Sequence, residues 1–513
     1  MDILFCTSEA YPLMKTGGLA DVSGSLPQAL LQLEYDVRLV LPAYPGAVQA
    51  IGSPVEIARL SLTGSDEAVR ILRGRLPDSE LPVYLVDAPA FFNRPGNPYL
   101  QPDGNDWPDN AERFALFARA CVALALGEGD RTWRPQVVHC NDWQTGLVPV
   151  LLAEERHRPA TVFSIHNLAY QGLFPAETLK TLQLPDTLWS IDGLEFYNML
   201  SFMKGGIANA DRITTVSPTY AREILEDEFG YGLEGLLRYR SARLSGILNG
   251  IDVDAWNPAT DTMIARRYDV HTLQHKLFNK FTLQRDRGLP VSSQPVLLAY
   301  VGRLVEQKGV DLIVDVIDDL AAHPIQLVVL GTGERTLEQQ LQDAAQRYPK
   351  QVSITVGFDE TLAHRIQAGA DALLMPSRYE PCGLNQMYSQ IYGTVPIVRT
   401  TGGLADTVVD FNRQTVDDDT ATGFCFEDDS SEALLATCLA AINTYQNQRV
   451  DWWKLVIAGM HRDFSWSASA RRYGELYKGL VSTGADRDLA TALDPLSGST
   501  RTPGTQHSGQ RLH

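Results

Sequence analysis

Two cations at the end of an apolar run offer the clearest chemistry in this sequence. In Tyr300–Gly309, YVGRLVEQKG, a predicted strand ends at Gly302, and Arg303 and Lys308 follow before a helix that starts near Gly309. Guanidinium and ammonium groups beside a helix N-terminus bind phosphate oxygens well, so this loop predicts a diphosphate site. The alternative is a pair of exposed charges that only keep the surface soluble.

An acidic residue lies in a similar position further along the chain. Met375–Gln386, MPSRYEPCGLNQ, places Glu380 between a predicted strand and a helix that begins near Gly383. Its carboxylate could hold sugar or ribose hydroxyls, while the amides of Gly383 and Leu384 cap a phosphate. Alternatively, Glu380 is only an acid near a helix N-terminus, where it stabilises the helix dipole by roughly 0.3–1 kcal/mol.

Other candidate residues follow strands or open helices, and each has a simpler interpretation. His166 follows the strand in SIHNLAYQG and could be a core histidine, whereas Asp142 follows the strand in VVHCNDWQTG and could be an N-cap. Cys382, beside Glu380, is of a type that is usually a small buried hydrophobic residue. Gly331, in LGTGE, is a weak signal because many turns between strands and helices look alike.

One hexapeptide occurs twice, once in each half of the chain. TGGLAD stands at Thr16–Asp21 and again at Thr401–Asp406, and each copy follows a predicted strand and opens a helix. Paired glycines let the backbone approach a ligand, and the free N–H groups of a helix start attract anions. Two such turns would face one cleft between two domains. Two tight turns of coincident sequence are the alternative.

Short apolar runs alternate with helix-length segments along most of the chain. The predicted strands are Ile3–Cys6, Val37–Leu41, Val83–Val86, Val137–Cys140, Thr161–Ile165, Ile213–Val216, Val296–Val301, Gln326–Leu330, Val352–Val356, Ala372–Met375 and Pro396–Val398. This alternation predicts an α/β fold with parallel sheets covered by helices on both faces.

Two Rossmann-like doubly wound domains, 1–250 and 251–455, are therefore expected, with a boundary in the turn-rich segment Asn249–Pro258. Ligands bind at the carboxyl ends of such strands, which places the site in a central cleft. Residues 456–481 are predicted to be helical and to pack back on the N-terminal domain. Residues 482–513 are rich in Ser, Thr, Gly and Pro and are predicted to be disordered.

The composition excludes several classes of protein. The 513 residues include 44 Lys and Arg against 62 Asp and Glu, a net charge of −18 that argues against nucleic-acid binding. Apolar stretches such as Cys121–Leu126 are far too short to span a membrane. The six scattered cysteines suit a reducing cytoplasm. Motifs typical of metal sites are not found, so neither a metal nor a cofactor is predicted.

Seven segments resemble bacterial glycogen synthases and the related plant starch synthases. They occur in order between residue 2 and about residue 480, and the first of them is highly specific. The last three segments alone would indicate only a two-domain retaining glycosyltransferase. The segments are KTGGLADV at Lys15–Val22, HNLAYQG at His166–Gly172, SPTYAREI at Ser217–Ile224, LNGID at Leu248–Asp252, GRLVEQKG at Gly302–Gly309, SRYEPCGLNQ at Ser377–Gln386 and RTTGGLADTV at Arg399–Val408.

The resemblance implies a GT-B fold and the transfer of glucose from ADP-glucose to the non-reducing end of an α-1,4-glucan such as glycogen, with retention of configuration. Catalytic roles fall on His166, Arg303, Lys308 and Glu380. The resemblance also implies contacts with the substrates for Lys15, Gly17, Gly18, Asp21, Asp142, Asn249, Gly331, Cys382, Gly383, Leu384 and Asn385.

The same resemblance implies a division of roles. Arg303 and Lys308 bind the diphosphate, and Glu380 contacts donor glucose hydroxyls or supports the transition state. His166 lies near the glucose C6 hydroxyl, with its carbonyl close to the anomeric carbon. Because Lys15 and Arg303 belong to opposite domains, the cleft is expected to close on the ligand.

Two positions depart from the family pattern. Asn385 stands where some members have Thr, and Phe358 stands where Tyr is common, which leaves only stacking for the adenine. UDP-glucose as donor or a small sugar as acceptor is therefore the alternative activity. A catalytically silent glucan-binding protein is a second alternative. It is disfavoured because the charged candidates are all present, namely Lys15, Arg303, Lys308 and Glu380. Whether the chain forms a homo-oligomer stays open.

Overall fold

Two large sheets organise the chain, which the computed structural model describes over residues 1–492. The strands are β1 Asp2–Cys6, β2 Asp36–Pro42, β3 Val55–Leu60, β4 Val69–Arg75, β5 Pro82–Asp87, β6 Val137–Asn141, β7 Ala160–Ile165, β8 Leu173–Pro175, β9 Glu195–Phe196, β10 Met199–Ser201, β11 Arg212–Thr215, β12 Leu244–Gly246, β13 Val296–Val301, β14 Ile325–Gly331, β15 Val352–Val356, β16 Ala372–Met375, β17 Val395–Arg399 and β18 Phe424–Phe426.

Helices connect most of these strands. The α-helices are α1 Gly18–Gln32, α2 Pro45–Ile51, α3 Pro89–Phe92, α4 Asn110–Ala125, α5 Leu147–Ala153, α6 Thr178–Thr181, α7 Phe202–Asn209, α8 Pro218–Glu223, α9 Glu234–Tyr239, α10 Lys276–Asp286, α11 Val310–Ala321, α12 Arg335–Arg347, α13 Glu360–Gly369, α14 Asn385–Ile391, α15 Gly402–Thr407, α16 Arg413–Asp417, α17 Ser431–Asn447, α18 Arg449–Met460 and α19 Trp466–Ala492. Within the described range, no helix is both long and apolar enough to cross a bilayer.

The N-terminal sheet has the strand order β12-β11-β7-β6-β1-β2-β5-β4-β3. Strands β12 to β5 are parallel, which confirms the predicted α/β class. Two further strands, which were not predicted, extend one edge of this sheet in antiparallel orientation: β4 pairs with β5, and β3 with β4. Charged residues interrupt the apolar pattern of these two strands, VEIARL and VRILRGR, so the sequence did not reveal them.

A small antiparallel sheet, in the order β8-β10-β9, lies in the same half of the chain. Its strands are only two or three residues long. A period of two residues cannot be recognised in so short a segment, and this sheet was not predicted.

The C-terminal sheet is entirely parallel, in the order β15-β14-β13-β16-β17-β18. Successive residues of β13 point to opposite faces and enter different cores. Val296 and Leu298 pack in the core that includes α11 and α17, whereas Leu297 and Ala299 pack in the core that includes α10 and α13. Burial on both faces explains why these strands read as continuous apolar runs.

The chain passes between the two sheets twice. It leaves the N-terminal sheet after β12 and returns through α19, which packs on α1. The two crossing segments lie side by side, because the Ile251 amide donates to the Phe464 carbonyl at 2.8 Å and the Ser469 hydroxyl donates to the Leu248 carbonyl. Helix α19 continues to Ala492, whereas disorder was predicted from residue 482; residues 493–513 lie outside the described part of the chain.

A buried histidine fixes the returning helix. His139 of β6 contacts the Tyr477 hydroxyl of α19 at 2.7 Å through Nδ1 and the Ser164 hydroxyl at 2.6 Å through Nε2. Burial lowers the pKa of His139 to about 3, so its ring is neutral at physiological pH. The ring therefore acts as a hydrogen-bonding link between the sheet and α19.

Replacing Tyr477 by Phe should weaken the attachment of α19. The change leaves the buried Nδ1 of His139 without its partner, and we expect a loss of about 1–2 kcal/mol in the free energy of unfolding, measured in urea. Tyr197 is exposed, so Tyr197→Phe is the control, and we expect the midpoint of its urea unfolding curve to be unchanged. An unaltered midpoint in Tyr477→Phe would mean that this hydrogen bond does not stabilise the fold.

Candidate active site

A buried ion pair stands where the C-terminal strands end. The Lys308 ammonium lies 2.5 Å from Oε2 of Glu380, and the Ser377 hydroxyl donates to the same oxygen at 3.1 Å. Glu380 is only 6% exposed. The two charged residues that the sequence singled out separately are thus in direct contact, and each compensates the charge of the other.

Arg303, by contrast, is exposed and forms no ion pair within the described residues. Its guanidinium donates to Oε1 of Gln307 at 3.0 Å, and its carbonyl accepts from the Tyr300 hydroxyl at 2.6 Å. The loop is fixed while the cation stays accessible. An arginine in this state is well suited to bind an anionic ligand through two parallel hydrogen bonds.

The turn after Glu380 is fixed against the end of β13. Gly383 has φ +73°, a left-handed conformation, and a Cβ there would lie 2.5 Å from Oε1 of Gln386. Helix α14 begins two residues later at Asn385, whose side-chain amide donates to the Val301 carbonyl at 2.9 Å. Asn385 therefore ties the turn to the end of β13. This hydrogen bond occupies the side-chain amide of a residue that was predicted to contact the substrate.

Two of the predicted substrate-binding residues also have packing roles. Cys382 is buried against the N-terminal core, and burial raises the pKa of its thiol to about 12. Gly331 ends β14 directly behind Gly302, where a Cβ would collide with the Gly302 carbonyl. Gly331 thus allows the two strand ends to approach closely. The Cys382 carbonyl in turn accepts from the Gln386 side-chain amide at 3.0 Å.

On the N-terminal side, Asp142 holds the loop that carries His166. Its carboxylate accepts from the His166 amide at 2.7 Å and from the Asn167 amide, and it caps no helix. The N-cap interpretation is therefore wrong. The backbone of Asp142 has φ 56° and ψ −179°, a region populated almost only by glycine. Strain of this kind is characteristic of functional sites.

The protonation of His166 follows from its neighbour Asn141. The Asn141 side-chain amide donates to the Cys6 carbonyl at 2.9 Å, so its oxygen faces Nε2 of His166 at 3.0 Å. Nε2 must then carry the hydrogen, which leaves Nδ1 as an acceptor. Because burial lowers the pKa of His166 to about 3, the ring is neutral and can accept a hydroxyl proton.

Asn249 lies in the first crossing segment and is 6% exposed. Its side-chain oxygen is buried without a hydrogen-bond partner in the described residues. An unsatisfied buried acceptor is costly, so a donor from a ligand would stabilise it. This observation agrees with the predicted place of Asn249 beside a polyhydroxyl ligand.

The first TGGLAD turn is held by a carboxylate that the sequence did not reveal. Glu9 accepts from the amides of Thr16 and Gly17 at 2.5 and 3.3 Å, from the Thr16 hydroxyl, and from Tyr99. Burial raises the pKa of Glu9, and these hydrogen bonds oppose the rise. Beyond the turn, a Cβ on Gly17 or Gly18 would meet only open space, so a ligand can approach this backbone.

Lys15 and Asp21 flank the same turn. The exposed Lys15 ammonium lies 2.7 Å from Oδ1 of Asp21 and 5.4 Å from the centre of the Tyr11 ring. Burial raises the pKa of Asp21, and Lys15 opposes the rise. A ligand that draws Lys15 away would therefore leave Asp21 without its compensating charge.

The second TGGLAD turn makes a contact between the domains. Glu223 of α8 accepts from the Thr401 hydroxyl at 3.0 Å and from the Gly402 amide at 2.9 Å. In return, Asp406 accepts from the amide and the hydroxyl of Thr219 at 2.7 and 2.8 Å. The turn does bind an anionic group, as expected, but in the structure that group is the carboxylate of Glu223.

The loops of His166 and Glu380 meet across the cleft. Tyr379, next to Glu380, is hydrogen-bonded to Asn167, next to His166. One step further along, the Ser217 hydroxyl donates to the Pro381 carbonyl at 2.7 Å. The structure thereby brings the loops of His166 and Glu380, from the two domains, into contact, while Gly331 lies at the end of β14 against Gly302.

Sequence reasoning missed Glu9, Glu223, Asp406 and the tyrosines of the cleft. The nearest signal was the TGGLAD repeat, since two identical turns need two anionic partners. Nothing in SEAYP or in YAREI marks the glutamate as that partner.

Sequence comparisons agree with this geometry. The family described as starch synthase catalytic domain matches residues 2–239, and glycosyl transferases group 1 matches residues 284–454. Glycogen synthase 1 of Methylococcus capsulatus is 54% identical over 478 residues, or 93% of this chain and 96% of that protein. Glycogen synthase 2 of Nitrosococcus oceani is 52% identical over 480 residues, which are 94% and 97% of the two chains.

Solved structures show the same architecture. The catalytic domain of starch synthase IV from Arabidopsis thaliana, bound to ADP and acarbose, superposes with a TM-score of 0.82 at 32% identity, covering 94% of this chain and 99% of that one. A sucrose-phosphate synthase from Thermosynechococcus elongatus shares the fold, with a TM-score of 0.56 at 17% identity over 94% and 99% of the chains.

Two Rossmann-like domains with charged residues at facing strand ends define a GT-B glycosyltransferase. More narrowly, the chain belongs to the glycogen synthase and starch synthase family, as the length and identity of the matches show.

The buried carboxyl of Asp142 should make stability depend on pH. Burial raises its pKa from 3.8 to about 7 in the folded state. The folded state thus binds a proton that the unfolded chain lacks between pH 4 and 7, and the resulting stabilisation is lost as pH rises through 7. We expect the melting temperature of Asp142→Asn, relative to the wild type, to increase from pH 5 to pH 8.

The control for this experiment is Asp186→Asn, which changes an exposed aspartate of the same domain. Its melting temperature should follow that of the wild type at every pH. If the melting temperature of Asp142→Asn also changes with pH in parallel with that of the wild type, Asp142 does not titrate in this range.

Proposed function

We propose that this enzyme transfers glucose from ADP-glucose to the non-reducing end of an α-1,4-glucan, with retention of the anomeric configuration. Relatives of 54% and 52% identity are named glycogen synthases, and a structural relative was solved with ADP and acarbose. The observation that carries the proposal is the Lys308–Glu380 pair beside the unpaired Arg303, at strand ends that face His166 of the other domain.

Positive charge is available where the leaving group would form. Departure of ADP from the sugar places negative charge on a diphosphate oxygen, and fixed cations stabilise that charge without a proton donor. Arg303 has no carboxylate partner within the described residues, and Lys308 has only Glu380. Binding of a diphosphate would let Lys308 share its charge between Glu380 and the ligand.

Glu380 suits the recognition of sugar hydroxyls better than nucleophilic attack. One of its oxygens accepts from both Lys308 and Ser377, which fixes the carboxylate and lowers its reactivity. Neutral His166 offers Nδ1 to a hydroxyl of the donor sugar, and its main chain is held by Asp142. Retention then follows from attack by the acceptor on the face from which ADP departs.

The first measurement is transfer of labelled glucose to glycogen from ADP-glucose and, in parallel, from UDP-glucose, with EDTA and no added metal. We expect incorporation from ADP-glucose and a rate lower by about tenfold or more from UDP-glucose, the size of effect that a changed pocket contact produces. The UDP-glucose comparison is informative because Phe358, which is 86% exposed, has no hydroxyl to read the base.

Three outcomes would contradict the proposal. Preference for UDP-glucose would change the donor, absence of transfer to glycogen would change the acceptor, and loss of activity in EDTA would overturn the prediction of a metal-free reaction. The prediction of a cytoplasmic location rests on the sequence alone, and the oligomeric state stays open.

Removing the unpaired cation should lower turnover without unfolding the protein. In Arg303→Ala we expect kcat to fall about 100-fold or more, because one donor to the developing charge is lost, and inhibition by ADP to weaken. The matched control is Arg347→Ala, an exposed arginine of α12 in the same domain, for which kcat should stay unchanged. Near-normal activity of Arg303→Ala would refute the diphosphate assignment.

A further inference from the structure

Aromatic rings form a path that leads away from Glu380, and the roles assigned above do not use it. The ring of Tyr379 lies 6.1 Å from that of Tyr231, at an angle of 67°. Beyond Tyr231, the main chain at Gly232 lies directly against the rings of Phe196 and Tyr197, which are 4.8 Å apart. The path therefore starts at the catalytic carboxylate and continues over the N-terminal domain.

The two outer tyrosines of this path are open to solvent. Tyr231 is 39% exposed and Tyr197 is 74% exposed. Single exposed aromatic residues are ordinary, but a contiguous row rimmed by polar groups marks a binding surface. Here the row is continuous with the cleft that holds Glu380.

Two of these tyrosines adopt backbone conformations that tyrosine disfavours. Tyr197 has φ 49° and Tyr231 has φ 50°, and within residues 1–492 they are the only aromatic residues with positive φ. Tyr197 and Asn198 form the two-residue turn between β9 and β10, a position that favours Asn and Gly. A bulky side chain is strained at this position, and the Tyr197 ring, although it lies against Phe196 and the main chain of Gly232, stays 74% exposed, so most of it is open to a ligand.

Hydrogen bonds hold the inner part of the path in place. The Gln171 side-chain amide donates to the Tyr231 carbonyl at 3.0 Å. The Tyr379 hydroxyl is hydrogen-bonded to Tyr231 and Asn167, so the two rings span the cleft together. The rings are thus presented in fixed positions before any ligand arrives, which reduces the entropy lost on binding.

We propose that Tyr379, Tyr231 and Tyr197 form a track on which the glucan acceptor lies while its non-reducing end reaches Glu380. This inference rests on the proposed function. A glucose ring has apolar C–H faces and a rim of hydroxyl groups, and a tyrosine offers both a flat apolar face and a hydrogen-bonding hydroxyl. A neutral polymer also needs no charge complement, which suits a strip whose rings carry no charge.

The order of the tyrosines predicts a dependence on acceptor length. Tyr379 and Tyr231 would contact the first sugars of any acceptor, whereas Tyr197 would contact only sugars further from the reacting end. Loss of Tyr197 should therefore weaken the binding of glycogen more than the binding of maltotriose. Glycogen and maltotriose as alternative acceptors of the full-length enzyme separate these two contributions.

The test uses substitutions that the backbone tolerates. Asn is favoured at positive φ, so Tyr197→Asn and Tyr231→Asn should fold at least as well as the wild type. In Tyr197→Asn we expect the ratio of KM for glycogen to KM for maltotriose to rise about 3- to 10-fold, the loss of one stacked ring. Tyr231→Asn should raise both KM values, and the KM for ADP-glucose should not change.

Binding is also measured without turnover, as the retardation of each variant in a native gel that contains glycogen. Tyr197→Phe keeps the ring and should restore both retardation and KM. The control is Tyr239→Asn, which changes a tyrosine that is 86% exposed at the end of α9, outside the track. This variant should behave as the wild type.

The outcomes separate the track from the proposed function. If the wild type transfers glucose but Tyr197→Asn and Tyr231→Asn retain its KM values for both acceptors and its gel retardation, the track is refuted. If the wild type transfers glucose to neither acceptor, the proposed function fails, and gel retardation alone then decides whether the track binds glucan. A changed oligomeric state of Tyr197→Asn in light scattering would identify the strip as a subunit contact and overturn the track.

Discussion

The contact of Glu223 with the second TGGLAD turn fixes the relation of the two domains on which the site depends. Arg303, Lys308 and Glu380 come from one domain and His166 from the other, so the proposed site exists only when the two domains meet. The contact is reciprocal, because Asp406 of the turn in exchange accepts from Thr219, which belongs to the same helix as Glu223. Charged acceptors bonded to backbone amides are among the stronger hydrogen bonds in proteins.

The same hexapeptide has two different uses in this chain. In the first copy the carboxylate belongs to Glu9 of the same domain, and the turn presents Lys15 to the cleft. In the second copy the carboxylate belongs to Glu223 of the other domain, and the turn becomes a joint. A glycine-rich helix start therefore specifies a need for an anion, and the surrounding fold decides whether the carboxylate that meets this need comes from the same domain or from the other one.

The sequence predicts those parts of the fold whose signal is local. Long apolar runs revealed the parallel strands, and motifs revealed Lys308 and Glu380, although not that they touch. Contacts between distant positions left no trace: Glu223 and Gly402 are 179 residues apart in the sequence. The role of Asp142 could not be read either, because an aspartate before a helix is usually a cap, and only the backbone geometry shows that it holds His166.

The side-by-side crossing of the chain at Ile251 and Phe464 has a mechanical consequence. A single connecting strand would act as a swivel and let the domains rotate about any axis. Two connections that are hydrogen-bonded to each other form a hinge and leave one easy axis of rotation. The closure predicted from the sequence would then bring Arg303 and Lys15 together along one repeatable arc and return them to the same alignment each time.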